Sequence, residues 1–139
     1  MKKYLLERDV TVFCVLADSF PQGILKAHQK LHALLLTSEL RNFYGVSNVD
    51  KKKVIIYKAA VEELYEAEAQ KYGCETYTIR KGEYISMLIT DFRKTPQSIS
   101  KAFEKLLMNP NIDPNCACIE QYFNDTDVKC MVRLKSTKK

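Results

Sequence analysis

Apolar and polar positions in this chain follow two periods in turn, and each switch marks an element. Residues 10–17, Val-Thr-Val-Phe-Cys-Val-Leu-Ala, are short, β-branched and aromatic, which predicts a largely buried strand. After Pro21, the residues Ile24, Ala27, His28, Leu31, Leu34 and Leu35 recur at helical spacing with Lys26, Gln29 and Lys30 between them. That pattern predicts a helix opening at Pro21 and laying one apolar stripe on a sheet. Residues 41–49 and 53–61 read as a hairpin turned by Asn48 and Asp50. Residues 62–72 are helix-prone and acidic without a clear apolar stripe, and are expected to form a connector of one or two helical turns closed by Gly73.

The same grammar then returns. Residues 75–80 read as a strand, Lys81-Gly82-Glu83 as a turn, and residues 84–90 as a second buried strand. Thr95 caps a helix expected to open at Pro96, on which Ile99, Ala102, Phe103 and Leu106 rebuild the first stripe. A loop rich in Asn and Pro at 109–115 leads to a closing hairpin of 118–123 with 128–134 across Asn124-Asp125-Thr126-Asp127. The stretch from Pro21 to Leu31, opening Pro21-Gln22-Gly23-Ile24-Leu25-Lys26-Ala27, matches that from Pro96 to Leu106, opening Pro96-Gln97-Ser98-Ile99-Ser100-Lys101-Ala102, which predicts a duplication. Repeat one covers about 8–61, the connector 62–72 and repeat two about 73–135, all in a single domain over 1–139. The expected fold class is α+β: duplicated βαββ halves forming one antiparallel sheet, two main helices on one side, and a ligand cleft at the pseudo-dyad, the kind of junction where small ligands bind.

Alternation in the last strand sorts its faces. Val128, Cys130, Val132 and Leu134 are expected to face the core, and Lys129, Met131 and Arg133 to face water. In the partner strand Cys118, Glu120 and Tyr122 share a face, setting an acid beside a phenol.

Composition narrows the function classes. With 139 residues the chain can bury a core without staples. Its net charge of +5 is dispersed, with much of the excess in Lys51-Lys52-Lys53 and the tail from Lys135, so direct nucleic-acid binding is not expected. No stretch approaches the roughly 18 apolar residues of a membrane span, and the start is charged too soon for a signal peptide, so no membrane association and a cytoplasmic location are expected. Five cysteines read as reduced, packed thiols. Cys116-Ala117-Cys118 lacks the spacing of zinc knuckles and only His28 and His32 could add imidazoles, so neither a metal nor another cofactor is expected. His28 stands where the second repeat has Phe103 and reads as a packed aromatic substitute. No Ser or Cys nucleophile with a matched base is visible, which leans away from an enzyme.

The order of elements, Lys81-Gly82-Glu83-Tyr84 before the second-half strand, the Pro96 helix and Glu120-Gln121-Tyr122-Phe123-Asn124-Asp125 before the last strand resemble the GyrI-like small-molecule-binding family. This is the effector-binding domain of multidrug-sensing transcription regulators and of gyrase-inhibitor-like proteins. The resemblance covers nearly the whole chain and implies a hydrophobic cleft for flat or cationic aromatic compounds. Many members carry an acid on the last strand in a segment ending Val-Pro; here Lys129 takes the acid's place and the proline is absent, which tells against cationic ligands and against the hydrolysis reported for some relatives.

The candidate ligand-binding residues are Tyr44, Tyr57, Tyr84, Glu120 and Tyr122. Tyrosine offers a flat apolar face with a polar rim, and a buried acid beside aromatics requires a cation or donor to meet it. The alternative for Glu120 is an exposed ion pair with Lys129 or Arg133 across the hairpin. The expected function is binding of a small organic ligand, regulatory without a DNA-binding element of its own. The alternatives are a hydrolase using Glu120 as base, or a gyrase-inhibitor-like module with a protein partner.

Overall fold

The computed structural model describes residues 1–35, 41–95, 97–124 and 126–135. The helix start expected at Pro96 and the turn residue Asp125 lie outside the described residues. In chain order the elements are β1 (Lys2–Leu6), β2 (Val10–Leu16), α1 (Ile24–Leu34), β3 (Phe43–Val49), β4 (Ile55–Glu62), α2 (Glu68–Lys71), β5 (Glu75–Ile79), β6 (Gly82–Ile89), α3 (Gln97–Leu106), β7 (Cys118–Tyr122) and β8 (Val128–Arg133). The class is α+β, with antiparallel strand pairs, and the chain divides into two compact units. No described helix is long and apolar enough to cross a membrane.

One unit spans Val10–Ile79, with strand order β3-β4-β2-β5. The stripe of α1 does what its spacing predicts: Ala27 and Leu31 pack on Phe13, Val15, Ala59 and Val61. Burying a leucine such as Leu31 is worth about 1.5–3 kcal/mol. The helix opens at Ile24 rather than at Pro21, because the chain first turns through Ser19 to Gly23: the Gly23 N–H donates to the Ser19 carbonyl at 3.1 Å and the Ile24 N–H to that of Pro21 at 3.2 Å. The approach is so close that a Cβ on residue 23 would stand 2.7 Å from the Ser19 carbonyl oxygen. The acidic connector shortens to the single turn of α2, whose Glu68 is buried against Arg41, Oε2 to Nη2 at 2.6 Å.

The other unit joins Met1–Asp9 to the chain from Arg80 onward, with strand order β7-β8-β6-β1. Here Ala102, Phe103 and Leu106 of α3 pack on Val128, Cys130 and Val132, the face that alternation assigns to the core. Strand β1 is an element the sequence reading lacks. It pairs with β6, Lys2 opposite Ser86 and Leu6 opposite Gly82, so its partner lies far along the chain and its own five residues give only a weak local signal. Gly82 sits at φ +136, a conformation suited to glycine, and the Arg133 guanidinium comes within 3.1 Å of where a Cβ would stand. Arg133 is thereby free to donate to the Lys81 carbonyl at 3.0 Å and to pair with Asp113 at 2.9 Å.

The expectation of one core face and one wet face on β8 needs correction. Met131, assigned to water, is 1% exposed and sits between Ser86 and Ile119 on the face away from α3. In the unit Val10–Ile79 the face away from α1 is buried too, at Val12, Cys14, Tyr44, Val46 and Ala60. Alternation reveals which residues share a face, but burial of the second face depends on what covers it.

Candidate functional site

Register places the expected acid on the α3 side. Glu120 lies opposite Cys130 and Tyr122 opposite Val128, both part of the α3-facing core, whereas Lys129 lies opposite Gln121 on the other face. A cross-strand pair of Glu120 with Lys129 is therefore excluded by the pleat, and Arg133 pairs with Asp113 instead. Glu120 is 6% exposed, and its Oε1 accepts the Tyr122 hydroxyl at 2.5 Å. The Tyr122 ring meets Phe92 edge-on at 5.6 Å. Acid and phenol do stand side by side, the acid buried and the phenol half-buried.

The other three candidates separate by face. Tyr84 is buried on the side of β6 away from α3, opposite the side that carries Glu120 and Tyr122, and its hydroxyl donates to the Arg80 carbonyl at 2.5 Å. Tyr44 and Tyr57 are both buried but on opposite faces of their unit, Tyr44 beside Ala60 and Tyr57 on the α1 side. The Tyr57 hydroxyl bonds His28 Nε2 at 2.8 Å. Burial, reinforced by the charge of His32, pushes the His28 pKa down to about 4, so its imidazole is neutral at physiological pH and serves as a packed, hydrogen-bonded ring.

Two hollows stand out. The larger, about 700 Å³, lies in the unit containing β1 and is lined by Lys2, Tyr4, Ser86, Leu88 and Lys129, with Phe123 and Asp127 from the β7–β8 turn. Pairing of β1, β6 and β8 brings the first five onto the face away from α3. The Lys129 ammonium stands 3.2 Å from the centre of the Tyr4 ring and 5.6 Å from that of Phe123. Burial lowers the Lys129 pKa, since an ammonium loses hydration there. Asp127 is held in its turn, accepting from the Thr126 hydroxyl at 3.1 Å.

The second hollow, about 470 Å³, lies in the other unit between the β2–α1 turn and the β3–β4 hairpin, with Phe20 tilted against Tyr57 at 6.0 Å. Of the five candidates from sequence, Tyr57 lines this hollow; Tyr44, Tyr84, Glu120 and Tyr122 line neither. Sequence reasoning missed Tyr4, Leu88 and Phe123. The available signal was the alternation Lys2, Tyr4, Leu6 against Lys3, Leu5, too short to stand out from a charged terminus.

No protein-family model matches the chain, and no curated protein sequence matches it. Solved structures share its fold. SAV2435 bound to tetraphenylphosphonium matches with a TM-score of 0.70 at 12% identity, over 98% of this chain and 95% of that one. The integron cassette protein VCH_CASS2, from the mobile metagenome of Vibrio cholerae, gives 0.68 at 12% identity, over 96% and 95%. A hydrolase from Listeria innocua gives 0.62 at 10% identity, over 96% and 90%. At such identities the likeness is one of fold, an α+β fold that in one neighbour carries a small organic ligand.

Proposed function

We propose that this protein binds a small aromatic organic molecule, and that the hollow between Tyr4, Leu88, Phe123 and Lys129 is its site. The observation that carries the reading is the hollow itself. Its volume, about 700 Å³, falls in the roughly 300–1,000 Å³ range of ligand sites, and it combines apolar walls with a few polar groups able to set orientation. The tetraphenylphosphonium held by SAV2435 supports the choice of an aromatic ligand. Kinship with GyrI-like domains, and the duplication behind it, gain support from strand order. In each unit a β-α-β-β run, β2-α1-β3-β4 or β6-α3-β7-β8, joins one further strand to give β3-β4-β2-β5 or β7-β8-β6-β1.

Thermal-shift screening of cationic, neutral and anionic aromatic compounds is expected to yield binders. Phe123→Ala and Leu88→Ser, both at exposed positions that folding tolerates, are expected to weaken them about tenfold each through lost apolar contact. Val54→Ser, in the second hollow, is expected to leave affinity unchanged. A screen without binders, or binding indifferent to both Phe123 and Leu88, overturns the assignment.

A second reading rests on the Glu120–Tyr122 pair in a chain that shares its fold with a hydrolase. A buried carboxylate could act as a general base toward water. Turnover of activated esters and other electrophiles by wild type and Glu120→Gln separates the two: the binding reading expects equal, negligible rates, and a rate in wild type lost in Glu120→Gln establishes the hydrolase.

A further inference from the structure

We infer that the hollow of β1, β6 and β8 selects aromatic anions over aromatic cations, because the protein's own Lys129 already occupies the cation position over the Tyr4 ring. This rests on the ligand-binding reading above and adds the charge of the ligand. A cation entering an aromatic cage gains by lying on a ring face, but the face of Tyr4 carries an ammonium 3.2 Å from its centre, and the same ammonium leans toward Phe123. An entering cation would have to displace Lys129 or suffer its repulsion in a partly desolvated space, where charges act more strongly than in water. An anion meets the opposite situation.

Charge in the rest of the lining agrees. Lys2, on the same face of β1 as Tyr4, joins Lys129, against the single carboxylate of Asp127. That carboxylate is engaged within its own turn, by the Thr126 hydroxyl at 3.1 Å and the Asn124 amide at 3.4 Å, and it receives the Asp91 N–H at 3.4 Å. No carboxylate forms an ion pair with Lys129 among the described residues. The ligand class is an organic anion whose aromatic body lies against Leu88 and Phe123 while its charge approaches the Lys129 ammonium.

Tetraphenylborate and tetraphenylphosphonium test this, being nearly identical in shape and opposite in charge. Calorimetric titration in a sodium-only buffer is expected to show the borate binding at least tenfold more tightly to the wild type. Lys129→Met is expected to collapse that ratio toward one, and Lys129→Arg to retain it, which a mere change in packing would not do. Equal or tighter binding of the phosphonium overturns the charge selection while leaving the hollow as a ligand site. A borate preference that survives Lys129→Met overturns the role of Lys129. Binding of neither ion, with Phe123→Ala and wild type alike inert, overturns the ligand-binding reading itself.

Discussion

Glu68→Ala is expected to remove about 3–5 kcal/mol of stability, as the loss of one partner from a buried ion pair does. The Glu68 and Arg41 side chains are 1% and 5% exposed and meet at 2.6 Å, and the second carboxylate oxygen of Glu68 accepts the Leu64 N–H at 2.8 Å. Truncation takes the carboxylate from a guanidinium that water scarcely reaches. Replacing both residues by leucine is expected to restore much of the loss, because it removes the charge together with its partner. Urea titration at neutral pH reads both, and a single-variant loss under about 1 kcal/mol would show that the pair is worth no more than a surface contact. Burial alone would raise the Glu68 pKa, but the bonds from Arg41 and the Leu64 amide outweigh it and hold the value below the ordinary 4.5. The stabilisation is therefore complete above pH 4.5 and is lost as pH falls through the lowered folded value.

Stability is also expected to decline in a second window that opens at higher pH. His28 titrates near 6.5 when unfolded and at about 4 in the folded protein, so between these values the unfolded chain binds the extra proton. For a base with a lowered folded pKa the sign is fixed: stability is complete above pH 6.5 and falls as pH drops toward 4. At 1.36 kcal/mol for each pKa unit the total is about 3 kcal/mol. His28→Phe, which places at this position the residue found at Phe103, is expected to flatten the decline between pH 6.5 and 4.5 while leaving the Glu68 limb that begins at 4.5. An unchanged slope in that variant would mean that His28 is not the group responsible.

Much of the fold was legible because its signals are local. The stripes of α1 and α3 arise from residues three and four apart, and the hairpins from Asn and Asp at turns, so neighbours in sequence carried the information. The buried state of Glu120 beside Tyr122 could be read only in part. Alternation put them on one face, but whether that face was wet depended on α3 packing against it. Spacing puts the start of α1 at Pro21, but Gly23 and Ser19 bond to each other before the helix begins, a competition that helix propensity does not express. His28 packs as a ring against Tyr57, and the bond between them joins two elements and has no trace in spacing.

Taken alone, the chain determined most of its strands and both main helices, and the residues that share each strand face, because period and turn chemistry act over a few residues. Tertiary structure decided which strands became neighbours, and with that where β1 lies, what buries Met131 and how Tyr4 comes beneath Lys129. These contacts join residues far apart in sequence, and pairing across such distances is selected by the summed packing of whole faces, which no local pattern records.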